Sequence, residues 1–230
     1  HTNADLARTL VSRTGSQTGP SIGYPLAMSF SAQNNVAYTW DGSMGVGDGR
    51  GVMRIDLATG ARTVLMTNSD LPSTAPIGLY QYDVRGMALV GNDLISIDNS
   101  TQSATRMTPG TAVRTLVSSN AFPRSSPMRS VYDTVYSGGK TYVSTAEGEI
   151  VEIAANGTER VVAGASVTGS AAIQAYTMAI DPAAQVMYAS TYFNGVGQVY
   201  RVNLTSGAVT MLNDGAAAPG SSTLAYIEDM

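Results

Sequence analysis

Residues 52–66 read VMRIDLATGARTVLM, and the same plan returns at residues 199–213 as VYRVNLTSGAVTMLN. Each copy begins with apolar residues at every second position, which is the period of a β-strand. A small polar residue followed by glycine then turns the chain, at Thr59-Gly60 and at Ser206-Gly207, and a second apolar run follows. The pattern predicts an antiparallel hairpin that the chain uses more than once.

Related signals recur along the whole chain. Five segments open on a tyrosine at the head of an apolar strand, at Tyr24, Tyr82, Tyr132, Tyr176 and Tyr226. Five segments resemble the closing run ARTVLM, at residues 6–11, 61–66, 113–118, 159–164 and 208–213. The chain starts on a closing segment and stops on an opening one, so four complete units lie between them. A repeat of about 45–55 residues built from short strands indicates a propeller or a related array.

The units resemble the blades of NHL- and YVTN-type β-propellers, through the apolar opening strand, the β-rich VAYTW at residues 36–40 and the glycine turn before the closing strand. The resemblance implies an all-β propeller of four complete four-stranded blades in one domain, residues 1–230. The predicted blades span about residues 22–68, 77–119, 128–165 and 171–214. It implies no particular function, because propellers include lectins, scaffolds, lactonases and dehydrogenases.

Two predicted terminal strands, at about residues 5–12 and 222–230, remain without a blade. They correspond to an outermost and an innermost strand, which are not neighbours in a blade. They could pair directly as the reduced closing blade of a five-bladed propeller, or one or both could pair with another copy, or the chain could be a fragment. An unpaired apolar strand is a template for another chain. The apolar residues concerned are Leu6, Leu10, Leu224, Tyr226 and Ile227.

Charged residues are scarce, at 13% of the chain against about 25% in typical proteins. The net charge is −4 and no basic cluster is present, so we predict no nucleic-acid partner. No apolar run approaches the roughly 18 residues of a membrane span. The Ser- and Thr-rich, weakly charged composition favours an extracellular or cell-surface location. The chain has no cysteine, which excludes disulfides and thiol chemistry.

The sequence offers few residues for catalysis. His1 is the only histidine, so no Ser-His-Asp triad and no multi-histidine metal site can form. We therefore predict no catalytic residue, no metal and no cofactor. Two weaker candidates exist: Asp41 and Asp48 in a glycine-rich loop as calcium ligands, and Asp83 with Asp133 as an axial carboxylate pair.

Arginine recurs in the closing strands, and we expect these arginines to be exposed on the outermost strands, where charge discourages edge pairing. They are Arg8, Arg62, Arg114 and Arg160.

Three functions are compatible with these features. The leading hypothesis is a non-enzymatic, secreted subunit that self-assembles into an extracellular filament, tube or surface layer by exchanging terminal strands. The alternative is a monomeric module that binds a glycan or a protein on its loop face, through an exposed aromatic cluster at Trp40, Tyr192 and Phe193. The third is a calcium-dependent hydrolase, as in lactonases of similar architecture.

Overall fold

The computed structural model describes residues 11, 18–31, 33–45, 49–111, 113–119, 131–168, 170–193 and 196–213. These residues form β-strands joined by turns, with two short 3-10 segments and no α-helix. The strands are β1 (Pro25–Ser31), β2 (Val36–Asp41), β3 (Gly51–Asp56) and β4 (Arg62–Thr67); β5 (Val84–Val90), β6 (Asp93–Asp98), β7 (Ser103–Thr108) and β8 (Val113–Ser119); β9 (Val131–Ser137), β10 (Lys140–Thr145), β11 (Ile150–Ala154) and β12 (Glu159–Ala163); and β13 (Thr177–Asp181), β14 (Val186–Phe193), β15 (Val196–Asn203) and β16 (Val209–Asn213).

Each run of four consecutive strands forms one antiparallel sheet in chain order. The first strand of each sheet contacts the first strand of the next, β1 with β5, β5 with β9 and β9 with β13. These first strands are therefore innermost, and the sheets extend outward from them as blades 1 to 4. The arrangement confirms the predicted propeller of four four-stranded blades.

The repeated hairpin, at residues 52–66 and 199–213, has the same local geometry in both copies. Gly60 and Gly207 have φ angles of 72° and 73°, a left-handed conformation that glycine adopts without strain. The Oδ1 atoms of Asp56 and Asn203 each accept the backbone N–H groups two and three residues later, at 2.8–3.0 Å. The side chain before the turn and the glycine within it thus fix the hairpin together.

The apolar core lies between blades, where neighbouring sheets pack face to face. Trp40 and Met66 of blade 1 pack in one cluster with Leu94 and Met107 of blade 2. The next cluster joins blades 2 and 3, and the third joins blades 3 and 4. The second cluster includes Ile97, Val143 and Ile153, and the third includes Ile150, Ile173 and Met187.

Blade 1 has a second apolar face, turned away from blade 2. Met53 and Ile55 are buried there, and the described apolar side chains around them come from blade 1 and from the segment before it. The strand register places Met28 and Phe30 of β1 on this same face. They are 47% and 62% exposed, so the innermost part of this face is open among the described residues.

The expectation of exposed arginines was wrong for two of the four. Arg62 and Arg114 are only 5% and 7% exposed, whereas Arg160 is exposed as expected. Arg114 lies opposite Met107 in the register, on the face that packs against blade 1. Its Nη2 donates to the carbonyl of Thr67 at 2.9 Å, and its guanidinium lies 5.8 Å from the ring centroid of Trp40. Arg8 lies outside the described residues.

The terminal strands predicted at residues 5–12 and 222–230 also lie outside the described residues, apart from Val11. The same holds for Leu6, Leu10, Leu224, Tyr226 and Ile227. The reduced closing blade and the exchange of terminal strands therefore stay predictions. In the part of the chain that the structure describes, no helix is long and apolar enough to span a membrane.

Candidate ligand site between blades 3 and 4

The Asp41 carboxylate, predicted as a possible calcium ligand, has a structural role instead. It is fully buried and accepts the backbone N–H groups of Gly23 at 2.9 Å, Tyr24 at 3.0 Å and Ser43 at 2.7 Å. Such donors satisfy the hydrogen-bonding capacity of a buried carboxylate. These bonds give Asp41 a structural role and lend the calcium interpretation no support, and Asp48 lies outside the described residues.

Asp98 holds the opening of blade 2 in the same way. It is fully buried and accepts the N–H groups of Tyr82 at 2.6 Å, Asp83 at 2.7 Å and Thr101 at 2.7 Å. In blade 3, Ser144 takes this place and its Oγ accepts the N–H of the second opening residue at 3.0 Å. The tyrosine that recurs in the sequence thus marks the point where the second strand fixes the start of the first.

The two predicted axial carboxylates are engaged separately. Asp83 forms an ion pair with Arg85 at 2.7 Å and accepts Nδ2 of Asn99 at 3.1 Å. Asp133 accepts the backbone N–H of Met178 at 2.6 Å and so links blade 3 to blade 4. Within the described residues, no group of three or more His, Cys, Asp or Glu side chains is placed to hold a metal ion. This geometry gives the lactonase interpretation no support.

The recurring tyrosines differ in their surroundings. The rings of Tyr132 and Tyr176 lie 4.6 Å apart between centroids, tilted by 37°. Burial raises the pKa of the Tyr132 phenol, and Tyr176 and the nearby Glu147 carboxylate raise it further. Tyr24 is 62% exposed and Tyr82 is 38% exposed. Ring-against-ring packing of the recurring tyrosines is therefore seen between blades 3 and 4.

A cavity of about 420 Å³ lies between blades 3 and 4. It sits where the β10–β11 turn and the connection from β12 to β13 meet the end of the β14–β15 hairpin, which is a loop face of the propeller. The lining residues are Glu147, Ala172, Ile173, Gln174, Thr191, Tyr192, Gln198 and Tyr200. We call this cavity the blade 3–4 pocket.

Two glutamine amides give the blade 3–4 pocket its hydrogen-bonding character. Oε1 of Gln198 accepts the Tyr200 hydroxyl at 2.8 Å and the Thr191 hydroxyl at 3.4 Å. Nε2 of Gln174 donates to the carbonyl of Ala146. Among the described residues, these bonds use only one end of each amide. The Nε2 donors of Gln198 and the Oε1 acceptor of Gln174 are therefore available to a ligand.

Aromatic and acidic groups complete the lining. The Tyr192 side chain is 40% exposed, which leaves part of its surface open to a ligand. Burial raises the pKa of the Tyr200 phenol, so this group stays a neutral donor at physiological pH. Glu147 is exposed and is the only charged side chain among the described residues of the lining. The pocket thus combines amides, phenols and one negative charge.

The wall of the pocket is held by close backbone contact. Gly148 has a φ angle of 80°, and its carbonyl accepts the N–H of Ile173 at 2.8 Å. A Cβ atom at Gly148 would lie 2.8 Å from Cβ of Ala172, closer than such atoms approach. Ser144 Oγ also donates to the carbonyl of Ala175 at 2.7 Å. The connection that carries Gln174 is therefore fixed to blade 3 on both sides.

Sequence reasoning found one residue of this pocket. Of the aromatic cluster predicted on the loop face, Trp40 is fully buried, so that part of the prediction was wrong. Tyr192 lines the pocket, and the Phe193 side chain lies outside the described residues. Glu147 and Gln174 were missed because they come from a turn and a connection that lack any motif.

Comparison with known proteins identifies the architecture. No family model matches the chain, and no curated protein matches it by sequence. Among solved structures, it is similar to the nidogen/laminin complex, with a TM-score of 0.57 and 15% identity over 82% of this chain and 64% of that chain. The fold is a β-propeller.

Two further propellers extend the comparison. The extracellular domain of a one component system from B. thetaiotaomicron has a TM-score of 0.53 and 16% identity, over 83% of this chain and 22% of that chain. YCF48 bound to D1 peptide has a TM-score of 0.55 and 12% identity, over 87% of this chain and 56% of that chain. The chain spans less than two thirds of the length of each of the three. At these identities the similarity shows the propeller fold alone, and the NHL type stays a prediction.

Proposed function

We propose that the protein is a non-enzymatic binding module whose partner, a protein segment, docks over the blade 3–4 pocket. The observation that carries the proposal is the pocket itself, a concave site with unused amide donors and acceptors beside an exposed tyrosine. Pockets of a few hundred Å³ with a few convergent polar groups are the usual form of binding sites. The pocket lies on a loop face, where propeller sequence can vary without disturbing the core.

Two of the similar structures support a protein partner. One is a complex of nidogen with laminin, and another is bound to a peptide. Both share the propeller fold with this chain at low identity, so they favour the class of partner and not its sequence. A glycan ligand of the same pocket is the alternative, because amides and an exposed aromatic ring also suit sugar hydroxyls.

The test compares the unmodified protein with a Tyr192→Leu, Gln198→Ala variant in capture experiments from native extract and on a glycan array. A Tyr24→Leu variant is the matched control, because Tyr24 is 62% exposed away from the blade 3–4 pocket. We expect a captured protein to disappear with the pocket variant and to remain with the control. A partner retained equally by all three proteins would contradict the proposal. If the pocket variant loses only glycan binding on the array, the ligand of the pocket is a glycan and not a protein.

Self-assembly through the terminal strands is a second candidate, favoured by a spacing in the chain. Tyr132 follows Ser119, the end of β8, by thirteen residues, and Tyr176 follows Ala163, the end of β12, by the same interval. Tyr226 follows Asn213, the end of β16, by thirteen residues as well. The spacing supports a further innermost strand beginning near Tyr226, supplied to this copy or to another.

The open face of blade 1 offers such a strand a place. Met28 and Phe30 are exposed on the innermost strand there, and covering them would remove apolar surface from water. We propose that exchange of these strands builds an extracellular filament, tube or surface layer; one of the similar structures is an extracellular domain. Electron microscopy and sedimentation of the full chain, beside a variant lacking residues 222–230, test this. Assemblies that persist in the truncated variant, or monomers in both proteins, would contradict it.

A further inference from the structure

We infer that the blade 3–4 pocket receives a cationic side chain, an arginine in particular, from the partner protein. The inference rests on the proposed function, and it names the chemistry of the group that enters the site. Three features carry it: the charge of the lining, the tyrosine rings around that charge, and the two oriented amides.

The described residues of the lining carry one charge, and that charge is negative. None of the ion pairs among the described residues involves Glu147. The described acid–base pairs elsewhere in blade 3 show the contrast, since Glu152 has both Lys140 at 3.0 Å and Arg160 at 2.9 Å. The field of Glu147 attracts a cation and repels a phosphate or carboxylate ligand. The Glu147 carboxylate also contributes to raising the pKa of the Tyr132 phenol.

Tyrosine rings surround the carboxylate. Tyr192 and Tyr200 line the blade 3–4 pocket together with Glu147, and the Tyr132–Tyr176 pair lies close to the same carboxylate. A guanidinium or ammonium group above an aromatic face is attracted by the ring quadrupole. A neutral sugar would gain from the rings as well, but it would not use the Glu147 charge, which has no ion-pair partner among the described residues. The combination of rings with a carboxylate therefore favours a cation.

The amides fit the planar donors of arginine. Oε1 of Gln174 is an acceptor for a guanidinium N–H, and the Nε2 donors of Gln198 suit the backbone carbonyl beside the arginine. Ala172 and Ile173 offer an apolar surface to the aliphatic stem of the same side chain. One arginine side chain with its flanking backbone can thus satisfy every type of group in the lining.

The experiment uses two probes of closely similar shape, one charged and one neutral. Acetyl-Gly-Gly-Arg-Gly-Gly-amide and the same peptide with citrulline are titrated into the full protein and followed by nuclear magnetic resonance. Citrulline keeps the planar shape and most donors of arginine but is neutral. We expect the arginine peptide to bind at least about fivefold more tightly, the combined size of an exposed ion pair and a cation–π contact.

Variants locate the source of this preference. Glu147→Gln should bring the affinity of the arginine peptide close to that of the citrulline peptide, and Tyr192→Leu should weaken it about threefold or more. Asp181→Asn, which changes an exposed carboxylate at the end of β13 in blade 4, is the control and should keep the full preference. Rising salt should reduce the preference because the carboxylate is exposed.

The outcomes separate this inference from the proposed function. Equal binding of both peptides, lost in Tyr192→Leu, would overturn the cationic ligand and leave the pocket as a binding site. No binding of either peptide at millimolar concentration would also overturn the cationic ligand. The proposed function fails if the partner captured by the native protein is indifferent to the pocket variants, or if only glycan binding depends on them.

Discussion

At the scale of single residues, buried carboxylates fix the starts of the first two blades. Asp41 and Asp98 each close the second strand of a blade and accept three backbone N–H groups. Burying a charge without such donors is very costly, so these aspartates are tolerated because the backbone surrounds them with hydrogen-bond donors. The N–H groups at the start of a blade have few other acceptors, because these residues come before the hydrogen-bonded pairing of the first strand with the second.

Replacing Asp98 with alanine should therefore be strongly destabilising. Each buried N–H left without an acceptor costs about 1–3 kcal/mol, and Tyr82 and Asp83 would both lose theirs. Urea denaturation followed by circular dichroism measures the change in the free energy of unfolding. Asp181→Ala is the matched control, because Asp181 also accepts two backbone N–H groups but is exposed, and its loss should change stability by no more than about 0.5 kcal/mol. Equal effects of the two substitutions would show that burial is not the deciding factor.

At the scale of elements, two ion pairs that share one carboxylate link three strands of blade 3. Glu152 of β11 binds Lys140 of β10 and Arg160 of β12. Burial acts to raise the pKa of Glu152, but the hydrogen bonds and charges of Arg160 and Lys140 outweigh it, and the net pKa is lowered. Both cations are largely exposed, so the contribution to stability is modest.

The lowered pKa predicts a loss of stability in acid. Because the pKa of Glu152 is lower in the folded chain than in the unfolded chain, the unfolded state binds more protons as the pH falls. The contribution is complete above the unfolded pKa of about 4.5 and disappears as the pH falls through the folded pKa. Urea midpoints of the protein and of Glu152→Gln, measured from pH 7 to pH 3, should differ most at pH 7 and converge in acid. A gap that stays constant with pH would contradict this.

The turn at Gly148 leads to a second prediction at this scale, which concerns the wall of the blade 3–4 pocket. Gly148 and Gly139 have φ angles of 80° and 81°, so alanine at either position meets the same backbone strain of about 1–2 kcal/mol. A Cβ at Gly148 would also collide with Ala172, whereas nothing lies within 4 Å at Gly139. We expect Gly148→Ala to destabilise the protein more than Gly139→Ala in thermal unfolding. It should also weaken ligand capture, which Gly139→Ala should leave intact.

At the scale of the whole molecule, each blade shares its apolar core with its neighbours. Three clusters join successive blades, and every blade contributes buried side chains to at least one of them. Repeat proteins of this kind gain stability from nearest-neighbour interfaces, and their parts unfold together when those interfaces are strong. The sole tryptophan, Trp40, lies in the cluster of blades 1 and 2 and reports on that interface.

The Ile97→Ala substitution tests whether the blades unfold together, because Ile97 lies in a different cluster from Trp40. Ile97 is fully buried between blades 2 and 3, and its truncation should lower the free energy of unfolding by about 2–5 kcal/mol. The fluorescence of Trp40 and the far-ultraviolet circular dichroism should shift to the same new midpoint. Val113→Ala, at a position 53% exposed, is the control and should change stability by no more than about 0.5 kcal/mol. Two separate midpoints in Ile97→Ala would show that the interfaces unfold independently.

The strands and turns were predictable because they depend on local chemistry. Alternating apolar residues fix which side of a strand is buried, and glycine at a left-handed position fixes where a hairpin turns. Even the second unit, the least regular of the four, has four strands within its predicted range of about residues 77–119, at Val84–Val90, Asp93–Asp98, Ser103–Thr108 and Val113–Ser119. The succession of similar units was sufficient to predict the propeller.

The orientation of individual side chains depended on the packing of blades. Arg114 and Trp40 have residue types that favour exposure or a ligand role, but the register places both in the contact between blades 1 and 2. Tyr24 and Tyr82 share one sequence signal with Tyr132 and Tyr176, yet only the latter pair packs ring against ring. A local pattern does not record which neighbouring sheet a side chain meets.

By itself, the sequence determined the strands, the hairpin turns and the fourfold repetition, since each follows from residues close together in the chain. Only the tertiary structure decided the candidate site. Glu147, Gln174 and Gln198 come from a turn, a connection and a strand of two different blades, and they form a pocket only when those blades pack. The roles of Asp41 and Asp98 were decided in the same way, because a carboxylate binds calcium or caps a backbone according to which donors the fold brings to it.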